Sequence, residues 1–81
     1  MEKIRERYKK LMHELSLEYL ADEADGLIVE DMVKECEYWL SCYYEDGNSL
    51  ADMRYDEDPH VRKIWRSHTE KLKRFIARFK G

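Results

Sequence analysis

The sequence predicts an all-α fold: a small antiparallel three-helix bundle with a short extra helix between the second and third helices. Three observations lead there. Apolar residues recur at three- and four-residue spacing through three long stretches, which places them on single helix faces. Gly26, Gly47 and Pro59 stand between those stretches rather than within them. Charge is also segregated. Residues 19–58 hold thirteen acidic and two basic groups, and residues 59–81 hold eight basic and one acidic group. The acidic middle and the basic end are therefore natural neighbours. At 81 residues the chain is read as a single helical domain, residues 1–81, with a modest core.

The first predicted helix covers residues 2–24. Ile4, Tyr8, Leu11, Met12, Leu15 and Tyr19 form its stripe. Leu17, Leu20, Ala21 and Ala24 form a second apolar set on roughly the opposite face. Such a set needs a cover: neighbouring loops, a bend near Ser16, or a second copy of the chain. The last option makes Leu17, Leu20 and Ala24 self-association residues of a homodimer.

The second predicted helix covers residues 27–45, with a stripe of Ile28, Val29, Met32, Val33, Cys36, Trp39, Leu40 and Tyr43. Glu30, Asp31, Glu35 and Glu37 lie outside that stripe, and Tyr38 points away from it among charges. Gly47 is free to adopt the left-handed conformation that stops a helix. Ser49 with Asp52 three residues later approximates a capping box and predicts a short helix over residues 50–55.

The third predicted helix covers residues 58–79. Asp58 caps it and Pro59 occupies the first turn, where a missing amide hydrogen costs nothing. Val61, Ile64, Trp65, His68, Leu72, Phe75, Ile76 and Phe79 form its stripe, expected to pack on Trp39, Leu40 and Tyr43. Arg62, Lys63, Arg66, Lys73, Arg74 and Arg78 lie on the remaining arc.

Catalytic and metal chemistry find little support. Cys36 and Cys42 are six residues apart, about 120° around a helix, and cannot clasp one zinc ion without partners that the sequence lacks. His68 in an apolar stripe reads as a packed histidine with one hydrogen-bond partner. Asp52, Asp56, Glu57, Asp58 and His60 do not follow the spacing of a calcium loop. The reading expects a non-enzyme with no catalytic residues, no metal and no cofactor. No apolar run approaches the length needed to span a bilayer, so no membrane partner is expected and a cytoplasmic location is the simplest.

What stands out is an acidic surface that carries tyrosines. The expected partner-binding residues are Tyr38, Tyr44, Asp46, Asp52, Tyr55, Asp56, Glu57 and Asp58. Closely spaced carboxylates beside aromatic rings suit a basic site on another protein, itself one that binds nucleic acid, and imitate phosphate charge there. In composition the chain resembles small acidic proteins of phages and mobile elements that inhibit or regulate host enzymes. The alternative is a nucleic-acid-binding regulator whose contacts are Arg62, Lys63, Arg66, Lys73, Arg74 and Arg78. Direct nucleic-acid binding is the weaker reading, because the acidic middle repels phosphate.

Overall fold

In the computed structural model, which describes residues 2–80 and the side chains of residues 3–79, the chain is all-α. Five helices follow one another: α1 Glu2–Glu14, α2 Glu18–Glu23, α3 Val29–Cys42, α4 Ser49–Asp52 and α5 Pro59–Lys80. Single 3-10 turns, Ala24–Gly26 and Met53–Tyr55, extend α2 and α4. The 22 residues of α5 make a rod of about 33 Å, which sets the 40 Å long dimension of the molecule.

The first predicted helix is two helices. It ends at Ser16, whose φ is +62°. Around it the Leu17 amide donates to the Met12 carbonyl at 2.7 Å, and the Ser16 amide donates to the His13 carbonyl at 3.0 Å. This double bond pattern closes the last turn of a helix around a left-handed residue, a position that glycine usually fills. Serine there gives no composition signal, so periodicity alone runs through it. The reversal carries the second apolar set inward. Leu20, Ala21 and Ala24 are buried in the chain's own core, and Leu17 packs half-buried against it. The face of Leu17, Leu20 and Ala24 that motivated a homodimer is therefore already covered within one chain. Tyr19, assigned to the stripe, is exposed instead.

Arg5 locks this folded-back segment onto α1. Its Nη1 donates to the Ala24 carbonyl and, at 2.8 Å, to the Leu27 carbonyl. A charged donor on helix-end carbonyls satisfies acceptors that no side-chain cap provides. Lys9 pairs with Asp25 at 2.8 Å on the same turn.

The core is built from the predicted stripes. Tyr8, Leu11, Met12 and Leu15 of the first segment meet Met32, Val33, Cys36 and Tyr43 of the second, and Leu72 and Phe75 of α5. Trp39, Leu40, Trp65, Ile76 and Phe79 pack half-buried around that centre. Ile28, placed in the second stripe, is exposed at the start of α3. Thr69 is the one buried polar or charged residue among the described residues, and its hydroxyl donates to the Arg66 carbonyl at 3.0 Å one turn back.

Side-chain pairs fix the helix directions. Tyr8 faces Phe75 with centroids 6.0 Å apart, and Glu14 pairs with Lys71 at 2.9 Å. Rising numbers on α1 thus meet falling numbers on α5, so the two are antiparallel. Tyr43 near the end of α3 meets His68 and Trp65, while Val29, Val33 and Phe79 line one hollow at its start. α3 is antiparallel to α5 as well.

Two caps decide the remaining joint. The short helix is capped by Asn48, whose Oδ1 accepts from the Leu50 amide at 3.1 Å, and not by Ser49, which is its first helical residue. Asn48 is the better-placed cap because its extended backbone precedes the helix. Gly47 does take a left-handed φ of +90°, although α3 has already ended at Cys42.

Two stability changes follow. Ser16→Gly relieves the left-handed strain and is expected to stabilise the fold by about 0.5–1 kcal/mol in denaturant titration. Among the described residues the buried Tyr8 hydroxyl has no hydrogen-bond partner, so Tyr8→Phe is expected to be neutral or stabilising by about 1 kcal/mol in the same titration, the reverse of the usual cost of a core substitution.

Candidate functional site

Residues 43–66 build one joint from which both predicted surfaces diverge. At its base the Tyr43 carbonyl accepts from the Trp65 indole Nε1 at 2.8 Å, and the Tyr43 hydroxyl meets His68 Nδ1 at 2.9 Å. Burial, and then neighbouring Cys42, pushes the Tyr43 hydroxyl up to about 12, so it stays protonated. The phenol and Nδ1 share one hydrogen bond, and which of them donates follows the imidazole tautomer. Burial first, and then Lys71, holds His68 below its ordinary value, with Glu14 opposing.

Above this base sits an aromatic cage around Arg54. Its guanidinium lies 4.6 Å from the Tyr55 ring centre, 5.4 Å from that of Trp65 and 5.5 Å from that of Tyr44. All three fall within the range of attraction between a cation and an aromatic face. Tyr44 meets Trp65 edge-on at 5.2 Å, and its hydroxyl accepts from Lys73 Nζ at 2.6 Å. The only basic residue of segment 45–58 is thus drawn inward by aromatic rings.

The acidic backbone is held from the other side. Arg62 Nη1 donates to the Asp56 carbonyl at 2.6 Å and the Glu57 carbonyl at 3.2 Å. Asp56 Oδ1 accepts from the Asp58 amide, and Asp58 Oδ1 from the His60 amide, both at 2.9 Å. Asp58 therefore caps α5 as its sequence position predicts.

These contacts order the main chain while the carboxylates face outward. Asp46, Asp52, Asp56, Glu57 and Asp58 are exposed, and Tyr55 is 72% exposed. Among the described residues none of these five carboxylates is in an ion pair. Tyr44 completes the platform at its edge. Tyr38 is exposed on α3, but its described partners are Trp39, edge-on at 5.4 Å, and Cys42. It is not joined to the platform.

The six basic residues of the alternative reading do not act as one face. Arg62 and Lys73 are engaged within the chain, on the acidic backbone and on Tyr44. Lys63 and Arg66 flank a shallow hollow of about 230 Å³ with Pro59 and Arg62. Arg74 and Arg78 line a separate trough with Arg7, Lys10 and Lys71. Arg7 and Lys10 were not among the predicted site residues, since only packing of α1 on α5 brings them there.

Cys36 and Cys42 are buried, whereas Asp52, Asp56, Glu57, Asp58 and His60 are exposed. Cys36 is fully buried, and burial followed by Glu35 pushes its thiol up to about 12, far from a reactive thiolate. The partner of His68 is Tyr43 rather than a cysteine. Among the described residues no group of three or more histidine, cysteine, aspartate or glutamate side chains is placed to hold a metal ion. Among the same residues no helix is long and apolar enough to cross a membrane. Compared with protein-family models, curated proteins and solved structures, the chain matches none. The fold and the two charged surfaces are what define it: a small all-α protein with an ordered acidic platform on one side of α5 and a cationic trough on another.

The buried tyrosine–histidine pair generates a pH dependence. A histidine whose folded-state value lies below its unfolded one stabilises the fold fully above the unfolded value, near 6.5. That stability is lost as pH falls through the lower folded value. Chemical denaturation between about pH 7.5 and 5 is expected to show declining stability, and His68→Gln is expected to flatten the decline.

Proposed function

We propose that this protein is a small protein-binding module that inserts its acidic, tyrosine-bearing platform into a basic site on another protein. The observation that carries the reading is the ordered and unpaired state of the acidic segment. Arg62, Asn48 and the Arg54 cage fix its backbone, and Asp46, Asp52, Asp56, Glu57 and Asp58 have no counter-ion among the described residues. A pre-ordered array loses little conformational entropy on binding, so its charge serves recognition and association rate directly. Tyr55 and Tyr44 add rigid aromatic area of the kind that anchors interfaces. Tyr38 is a peripheral contact in this reading.

Such a surface imitates the charge of nucleic acid, so a nucleic-acid-binding protein is the partner we favour and inhibition or regulation is the effect. The scaffold is the antiparallel three-helix bundle with α1, α3 and α5 as its long members, working in the cytoplasm without cofactor or catalysis. Direct binding of nucleic acid by the basic face is the weaker reading, because Arg62 and Lys73 are held within the chain.

Affinity capture from lysate, read by mass spectrometry, tests it with one variant. Asp46→Lys, Asp52→Lys and Glu57→Lys together reverse the platform at exposed side chains that make no hydrogen bond among the described residues. The helical circular dichroism is expected to persist while recovery of a basic partner falls by about ten-fold or more. Unchanged recovery would mean that a different surface binds.

A further inference from the structure

The trough between α1 and α5 shares no residue with the acidic platform. Because the helices are antiparallel, Arg7, Lys10 and Glu14 on one wall face Arg78, Arg74 and Lys71 on the other in reverse order. Each wall spans eight residues, about 10 Å along a helix axis. Leu11 and Phe75, both buried, form the floor. The open trough holds about 310 Å³.

The Lys71–Glu14 pair closes one end of the trough at 2.9 Å. The remaining four cations, Arg7, Lys10, Arg74 and Arg78, are exposed and have no hydrogen bond or ion pair among the described residues. Elsewhere on α5 comparable cations are engaged: Arg62 on two carbonyls and Lys73 on Tyr44. Four uncompensated cations around a small concavity repel one another, and an anion between them removes that repulsion.

We propose that this trough binds a compact polyphosphate, a triphosphate chain either free or carried by a nucleoside. Three of the five lining cations are arginines, whose planar forks engage pairs of phosphate oxygens. The free cations, Arg7 and Lys10 on one wall and Arg74 and Arg78 on the other, extend about 5–6 Å along the helix axes, which suits several linked phosphates better than a single one. The closed end and the small volume suit a compact ligand. A long nucleic acid is disfavoured, because it must continue past the trough across a chain whose net charge is −3 and whose middle is strongly acidic. An acidic peptide delivers one charge per side chain and less charge density to the same four groups.

Calorimetric titration at about 50 mM salt with sodium tripolyphosphate, and separately with adenosine triphosphate, tests the site. Saturable binding with one ligand per chain is expected, weakening as salt rises. Arg74→Gln with Arg78→Gln is expected to weaken it about ten-fold or more, and Lys10→Gln alone, on the other wall, by a smaller factor. Lys63→Gln with Arg66→Gln removes the same charge elsewhere on α5 and is expected to leave binding unchanged. All these positions are exposed, and glutamine is a good helix former, so each variant is expected to keep its helical circular dichroism. Equal affinity for the two ligands identifies the triphosphate as the recognised group, and tighter nucleotide binding adds the nucleoside to it. Absence of binding by either ligand at millimolar concentration overturns the proposal. So does equal weakening by the Lys63 and Arg66 variant, or capture of a single-stranded oligonucleotide where tripolyphosphate fails.

Discussion

Tyr43 is bonded twice by α5: its carbonyl accepts from Trp65, and its hydroxyl shares a hydrogen bond with His68. The two donors and acceptors lie three residues apart and so project from one face of α5. This contact fixes where α3 ends relative to α5. It thereby fixes where residues 44–58 begin. Tyr44, the next residue, is left against the other side of Trp65, and the Arg54 cage assembles on that pair. Without the Tyr43 joint the acidic segment has no reason to lie along the start of α5, and Arg62 has no carbonyls within reach.

The charge asymmetry of the chain is resolved locally rather than as one field. The sequence suggests an acidic middle neutralised by a basic helix. In the folded chain the counter-charging is sparse and specific. Arg62 bonds main-chain carbonyls of the acidic segment instead of its carboxylates, and Lys73 bonds a phenol. Carboxylates on one side and cations on the other are consequently left facing solvent. A surface pair is worth little when made, so leaving these groups unpaired costs the fold little. It leaves both charges accessible to other molecules.

Much of this was legible in the residue pattern. The stripes of Tyr8, Leu11 and Met12, of Met32 and Cys36, and of Leu72 and Phe75 point inward as their spacing requires, and Asp58 caps α5. What escaped was conformational or non-local. Ser16 adopts a glycine-like φ with no glycine to announce it, so the bend near Ser16 stood beside other covers for Leu20 and Ala24, and periodicity alone did not choose it. Asn48 outcompeted the adjacent Ser49 as a cap because backbone geometry, not residue type, chose between two good capping residues. Arg7 and Lys10 read as ordinary solvated charges on the first helix. They join Arg74 and Arg78 only through antiparallel packing across more than sixty residues of chain.

The position of Trp65 also makes the joint optically visible. Its indole hydrogen-bonds the Tyr43 carbonyl, meets Tyr44 edge-on and lies 5.4 Å from the Arg54 guanidinium. A nearby cation and a fixed hydrogen bond shift indole emission, so the fluorescence of Trp65 reports whether the acidic segment is seated. The other tryptophan, Trp39, lies on α3 against Tyr38 and Glu35. With Trp39 replaced by phenylalanine, the chain carries a single intrinsic reporter at the root of its acidic surface, and occupancy of that surface becomes readable without a label.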